Sequence, residues 1–515
     1  MKKQSLVKGT MILGFTAIFA RFLGLFFRIP IQALIGDEGM GYYQMSYPLY
    51  MTFVALASGV PIAMSKIIAE LNAKKDYDGA TKVLRDTFRF MLPLGIIVSL
   101  LMMFFAKPII RGMKWHENSY IAFMVIAVAP IFVCIMCTLR GFFQGMQNMT
   151  YTGVSQVIEQ FGRVIGGVFF TYVLVSRGIA YGAGGAAIGT VIGGVMGTIY
   201  LISAYLRYKN TQRHYVTKKS KSMLGEIAKA ALPISLGAAV GTVMSLIDSM
   251  IVPERLLKAG FDISESTVLY GQLTGKAMTL ANVPLALSIA LCSTLVPIIA
   301  EAYAAGHKFE LNRRVDMSFK LSFIIALPCT MGLYTLAAPI MHLIFMKDVG
   351  GYNILKFVSL TVPFIVITQT TTALLQSVGN YLKPVYNLAI GCIVKVIISY
   401  VLIPITVINI YGAVIGTMCG YMVTVFLNMR QIKKVFDVKL NIMESLIKPA
   451  ISTLFMTIVV VFTYNTVYNY TISNTIACLV AIIAGAIVYG VLILVLKVFD
   501  INDIKRDKKT AKINV

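Results

Sequence analysis

Fourteen long apolar runs divide this chain, and they leave few folds open to it. They lie roughly at 10–31, 44–71, 86–106, 119–140, 154–176, 183–206, 227–252, 268–300, 317–345, 353–378, 384–405, 411–428, 447–468 and 473–497. About 20 predominantly apolar residues make one helical crossing of a bilayer. Backbone in lipid must satisfy its own hydrogen bonds, so helices and closed barrels are the two spanning solutions. The ten-residue alternation of a barrel is missing. The expected fold class is an all-α polytopic membrane protein with 14 transmembrane helices. Composition agrees, with 57% hydrophobic residues, 13% charged residues and a mean hydropathy of +0.78.

The formal net charge is +24. In such a protein the excess is read as loop lysine and arginine obeying the positive-inside rule, not as a nucleic-acid footprint. One side collects Lys2, Lys3 and Lys8, then Lys74, Lys75, Lys82 and Arg85, then the basic run from Arg207 to Lys221. It also collects Lys308, Arg313, Arg314, Arg430, Lys433, Lys434, Lys439 and the tail residues Lys505, Arg506, Lys508, Lys509 and Lys512. The other side has Lys107, Arg111, Lys114, Arg177, Arg255, Lys258 and Lys347. Both termini are therefore expected in the cytoplasm, which an even number of spans requires. The first run is too long for a signal peptide and lacks a small-residue cleavage site, so it reads as an uncleaved first helix.

The seven cysteines all fall inside apolar runs, and Cys134 and Cys137 form a mid-helix pair with no histidine in reach. They read as inert buried thiols. The four histidines are scattered. No metal site, no cofactor and no nucleophile with a histidine partner is expected, so the chain does not read as an enzyme.

The chain also repeats itself. Pro108 and Pro339 stand 231 residues apart, as do Glu70 and Glu301, and Gln144–Asn148 recurs at Gln376–Asn380 with a spacing of 232. Six spans separate the copies, so both insert in the same orientation, an arrangement used by transporters that rock two bundles about a midplane site. The expected organisation is an N-lobe over 1–206, a basic linker over 207–226, a C-lobe over 227–430, extra helices over 431–498 and a basic tail over 499–515. These are two pseudo-symmetric six-helix lobes plus two extra C-terminal helices. The Gly-rich stretch from Gly182 to Gly197 is suited to close helix packing.

Chemistry must come from charge inside the spans, where one ionised side chain costs at least about 2.5–3.5 kcal/mol. Arg21 and Arg28 lie seven residues apart, so they share a helix face. Either they line a cationic cavity, or Arg28 snorkels to the interface and Arg21 pairs with a carboxylate elsewhere. Glu159 and Arg163 are spaced to neutralise each other within span five, with gating or coupling as the alternative. Asp248 would partner a basic residue or hold a coupling cation, Na+ or H+. Lys395 is the repeat equivalent of Arg163, without the adjacent acid. Gln44 and Gln272 recur at the start of the second span of each lobe, to bind a polar substrate or to bridge helices. With Lys66 and Lys276 the inner faces carry more cation than anion, and arginine suits phosphate through its bidentate fork. A phosphate- or pyrophosphate-bearing substrate at membrane depth is the inference. Arg21, Arg28, Lys66, Lys276, Gln44 and Gln272 are its candidate binding residues, and Asp248, Glu159, Arg163 and Lys395 the candidate coupling or gating residues.

Several stretches resemble the polysaccharide-transporter branch of the multidrug/oligosaccharidyl-lipid/polysaccharide flippase superfamily. They are Lys8–Leu13, Gly36-Asp-Glu-Gly-Met-Gly-Tyr-Tyr-Gln44, Gly59-Val-Pro-Ile-Ala-Met-Ser-Lys66 and Arg140-Gly-Phe-Phe-Gln-Gly145. The likeness takes in sporulation-linked members and the MurJ-type lipid II flippases. The resemblance implies two lobes in a V, alternating access, a bacterial cell membrane and a lipid-linked anionic saccharide as cargo. It implies lipid II for spore-cortex peptidoglycan. It also implies that basic residues of helices one, two and eight surround the pyrophosphate, matched here by Arg21, Arg28 and Lys276. Helix two departs from that pattern, since Lys66 lies far down the span. The unrepeated last two helices would form a groove for the polyprenyl tail. Rival readings are a flippase for another lipid-linked polysaccharide, a cation-coupled multidrug exporter, and a scaffold that recruits cell-wall synthesis enzymes. The exporter wants acidic residues where span one offers arginines.

Overall fold

A computed structural model describes residues 6–74, 76–211, 223–306, 308–346, 349–436, 442–496 and 498. The middle of the basic linker and the basic tail lie outside them. The described residues form helices and turns, with no strand among them. Thirteen stretches are long and apolar enough to cross a bilayer, and the first, Phe26–Ala73, runs for 48 residues.

That first stretch contains a reversal. Helix α1 (Leu6–Ala57) is broken at Gly36, with φ 66° and ψ −170°, a backbone conformation that residues with a β-carbon avoid. Arg28 and Gln44, each eight residues from Gly36, donate to one and the same carbonyl oxygen, that of Thr274. A straight helix would separate their Cα atoms by about 24 Å. The chain therefore folds back at Gly36, and the arms of α1 are two antiparallel crossings. Counted so, the thirteen stretches supply the fourteen crossings expected from the sequence.

The elements fall into two compact units, residues 1–279 with 395–416, and residues 280–394 with 417–515. In the first, α1 is followed by α2 (Gly59–Ala73), α3 (Tyr77–Phe104), the short α4 (Ala106–Gly112), α5 (Ser119–Ile126), α6 (Ala129–Gly145), α7 (Met149–Leu174), α8 (Ile179–Thr211), α9 (Leu224–Lys258) and α10 (Ile263–Gly271). A π-helical turn, Gln272–Ala277, then leads into α11 (Met278–Ala304), which belongs to the second unit from Leu280 on. One apolar core of this unit is built on Ile68, Phe142, Phe143 and Leu201. Helices α7 and α8 touch through backbone. A β-carbon at Gly189 would stand 2.5 Å from the Arg163 carbonyl oxygen, and the glycines at 185, 193 and 197 continue the same stripe. The Gly-rich stretch thus fixes α7, which carries Glu159 and Arg163.

The second unit takes in α12 (Lys308–Thr335), α13 (Ala337–Phe345), α14 (Tyr352–Ser359) and α15 (Val362–Ser377), then most of α16 (Leu382–Leu402) and α17 (Tyr411–Phe436). It ends with α18 (Ile442–Thr471) and α19 (Asn474–Val495). The repeat is visible in element order: α3 to α6 and α12 to α15 each run long helix, short helix, eight-residue helix, and a helix opened by proline. Phe319, Leu374 and Ile432 form one apolar cluster, and Leu336, Met456, Ala481 and Ile493 form another that seats α18 and α19. Exposed leucines, isoleucines and phenylalanines such as Phe462, Ile483 and Ile487 cover the outer faces of those two helices. This is the surface that lipid solvates.

Candidate functional site

The Gly36 reversal brings the arms of α1 against the π turn. A π turn skips the usual i→i−4 bonding, so it frees backbone carbonyls for other partners. The Thr274 carbonyl is one of them. It accepts from Arg28 Nη1 at 3.2 Å and from Gln44 Nε2 at 3.0 Å. Arg28 also donates to the Thr279 hydroxyl. Both partners of Arg28 are neutral.

Above this point sits Asp37, the residue after the reversal. Its carboxylate takes an ion pair from Lys276 Nζ at 2.7 Å and hydrogen bonds from Gln272 Nε2 at 2.9 Å and Gln32 Nε2 at 2.5 Å. Lys276 has no exposed surface at all. Gln44 and Gln272 thus both join α1 to the π turn.

Beside Arg28 lies a second arginine among aromatic rings. Arg163 donates Nη2 to the Tyr43 hydroxyl at 2.7 Å. Its guanidinium carbon stands 4.8 Å from the Tyr47 ring centre and 5.1 Å from that of Phe27, a cation–π setting. Its Nε is buried with no hydrogen-bond partner. Phe27, whose ring Arg163 faces, is the residue before Arg28 in α1, and the Tyr43 and Tyr47 rings lie 5.4 Å apart against Arg163. Neither arginine has a carboxylate partner among the described residues.

The expected self-pairing of Glu159 and Arg163 does not occur. Glu159 Oε2 binds Arg140 Nη2 of α6 at 2.7 Å, and Arg140 Nε also donates to Ser155 at 2.9 Å. A guanidinium arriving across the helix interface, already braced by a serine, displaces the neighbour one turn away. Lys395, read from the sequence as lacking an acid, pairs with Asp248 of α9 at 2.6 Å. Lys66 is exposed on α2, apart from this group. The side chain of Arg21 lies outside the described residues.

Sequence reasoning missed Asp37, which it treated as turn, and Arg140, which it quoted only as part of a motif. It also missed the ring of Phe27, Tyr43 and Tyr47. One signal was present: Phe27 and Tyr43 are nearly symmetric about Gly36, so a hairpin there sets them side by side, 6.1 Å apart.

At the same end of α1, the chain's one tryptophan closes a gap in α9. Pro253 lies inside that helix and has no N–H, so the Ser249 carbonyl loses its i+4 donor. Trp115 Nε1, on the loop after α4, donates to that carbonyl at 2.6 Å.

A family model described as polysaccharide biosynthesis protein matches residues 6–303. The chain belongs to that family. A second model, MatE, matches residues 274–401. Among curated relatives of this polysaccharide biosynthesis family member, stage V sporulation protein B of Bacillus subtilis is 27% identical over 86% of each chain. The lipid II flippase MurJ of the same organism is 25% identical over 84% of this chain and 83% of its own. Among solved structures, the lipid II flippase MurJ in an inward closed conformation covers 95% of this chain and 99% of its own, with a TM-score of 0.73 at 17% identity. An inward-facing MATE family transporter of the MOP superfamily covers 82% of this chain and 98% of its own, with a TM-score of 0.68 at 18% identity. At such identity the structures speak for the fold alone, that of a multi-pass helical membrane protein.

Proposed function

We propose that this protein is a flippase for a polyprenyl-pyrophosphate-linked saccharide, with lipid II of peptidoglycan as the cargo. The observation that carries this reading is the charge balance inside the spans. Asp37, Glu159 and Asp248 each lie 2.6–2.7 Å from a basic nitrogen. Arg28 and Arg163 are left over, adjacent and facing neutral groups. Two like charges held together at membrane depth are costly, and a pyrophosphate offsets that cost by accepting from both forks. The named flippase activity of a relative that spans most of the chain supports the same cargo. The saccharide would leave on the side opposite the basic loops, where cell-wall synthesis enzymes would take it. A Na+ or H+ that drives the cycle would compete with Lys395 for Asp248.

A cation exporter is the second reading, since MATE transporters share the fold. It is disfavoured because those three carboxylates are already occupied by the protein's own lysines and arginine.

The test is translocation of a fluorescent lipid II analogue in proteoliposomes, with Arg28→Ala and Arg163→Met as controls. Flipping that falls with both variants is expected. Equal flipping by wild type and both variants would sink the cationic-site reading. No flipping by folded wild type under an imposed gradient would sink the cargo.

A further inference from the structure

The repeat sets the same short helix in both halves of the chain. Pro108 and Pro339 fix the register, so Lys107 of α4 corresponds to Ala338 of α13, and Arg111 to His342. On α13 that face is covered. Asn474, at the start of α19, donates Nδ2 to the Pro339 carbonyl at 3.0 Å and lies 3.3 Å from His342 Nδ1. The helix pair that supplies Asn474 has no counterpart in the first half. On α4 the corresponding place is a cavity of about 360 Å³ lined by Lys107, Ile110, Arg111, Glu117, Asn118 and Tyr120.

The chemistry of this cavity is cationic. Lys107 and Arg111 stand one turn apart on one face of α4, where like charges repel. Lys107 lies 5.9 Å from the centre of the Tyr120 ring. Among the described residues neither cation forms an ion pair, and Glu117 is the one carboxylate in the lining. The cavity also sits at headgroup depth. Helix α3 ends at Phe104, α5 begins the next crossing at Ser119, and the rings of Phe104 and Phe105 are 80% and 45% exposed. The turn between two crossings lies at the membrane–water interface, where an amphipathic ring such as that of Tyr120 in the lining belongs, and basic pockets at that level suit anionic headgroups.

We propose that this pocket binds the phosphate of a lipid headgroup. The phosphate sits between Lys107 and Arg111, with the Tyr120 hydroxyl and the Asn118 amide as neutral donors. Asn118 also donates to the Tyr42 hydroxyl at 3.2 Å, and Tyr42 in turn bonds Glu38 beside the Gly36 reversal. A bound headgroup is therefore wired to the turn that carries Asp37. The proposal does not depend on the flippase reading, since a resident phospholipid and a lipid-linked pyrophosphate present the same group.

Native mass spectrometry of the full chain reads lipid retention directly, with phosphatidylglycerol and undecaprenyl pyrophosphate compared against phosphatidylcholine. K107Q/R111Q is expected to weaken the copy of anionic lipid bound at this pocket about 25-fold, at about fivefold for each cation near a membrane surface, and to leave a copy held at Arg28 and Arg163 in place. E117Q is expected to raise retention at the pocket, because it removes the pocket's own negative charge. A response with phosphatidylglycerol identifies a resident lipid, and a response with the pyrophosphate alone identifies the cargo. Unchanged retention of both anionic lipids in the two variants overturns the proposal. If K107Q/R111Q does not fold, E117Q decides: a rise supports the site, and no change ends it.

Discussion

Arg163 and Lys395 occupy equivalent places in the two halves of the repeat, 232 residues apart. Each is a cation inside a span, and their surroundings differ. Lys395 is 4% exposed, with Asp248 at 2.6 Å. Arg163 has an acid one turn away in its own helix and does not touch it. It leans on the Tyr43 hydroxyl and two aromatic faces, while Arg140 holds Glu159. Charge is thus closed at one repeat position and open at the other. A lysine seated on an aspartate has little left to offer a ligand. An arginine against neutral groups, with Nε unpartnered, still attracts an anion. Equivalent positions in a repeat therefore need not share a role, and the nearest counterion in sequence need not be the one the fold selects.

The largest expected effect breaks the closed position. Asp248→Ala strands Lys395 among groups that cannot balance it, and removing one partner of a buried pair costs about 3–5 kcal/mol. Thermal unfolding in detergent should show this as a large fall in midpoint. Asp248→Leu with Lys395→Met removes both charges and should recover most of the loss. If the double variant is no better than the single, Lys395 has other support and the contrast with Arg163 weakens.

Next comes the open position. Arg163→Met should weaken retention of undecaprenyl pyrophosphate by about 10- to 150-fold, since hydrogen bonds to charged groups contribute about 1.5–3 kcal/mol. Its midpoint should move far less than that of Asp248→Ala. Lys395→Met paired with Asp248→Leu should leave retention near wild type. Equal losses of retention at both positions would erase the distinction.

A smaller effect tests which arginine owns Glu159. In double-mutant cycles of unfolding, Arg140 and Glu159 should couple by about 0.5–3 kcal/mol, and Arg163 and Glu159 by close to zero. The reverse ranking would restore the i,i+4 pair that the spacing alone suggests.

These residues also show what could be read without coordinates. The spans were legible because each buries a run of apolar side chains in lipid, which composition records directly. The repeat was legible because Pro108 and Pro339, or Gln144 and Gln376, keep their spacing. Arg28 stood out because a charge in an apolar run is expensive. The pairings were not legible. Lys276 meets Asp37 across 239 residues of chain, through a hairpin at one glycine and a π turn whose sequence, Gln-Leu-Thr-Gly-Lys-Ala, shows no period different from a plain helix. The Glu159–Arg163 spacing suggests a pair within α7 that the fold does not form. The competitor, Arg140, sits at the end of another apolar run and announces nothing about its partner.

The smallest effect probes the loop after α4. Trp115→Phe keeps the ring and removes the N–H that reaches the Ser249 carbonyl. Interhelical hydrogen bonds in membranes contribute about 0.6 kcal/mol on average, up to about 1.7, so the midpoint should fall by a few degrees at most. Pro253→Ala should reduce even that loss, because alanine restores the N–H that Ser249 would accept within α9. In the Pro253→Ala background, Trp115→Phe should be close to neutral. An undiminished loss there would mean that the indole matters for packing against Phe123, its ring neighbour at 6.3 Å, rather than for the carbonyl that proline leaves open.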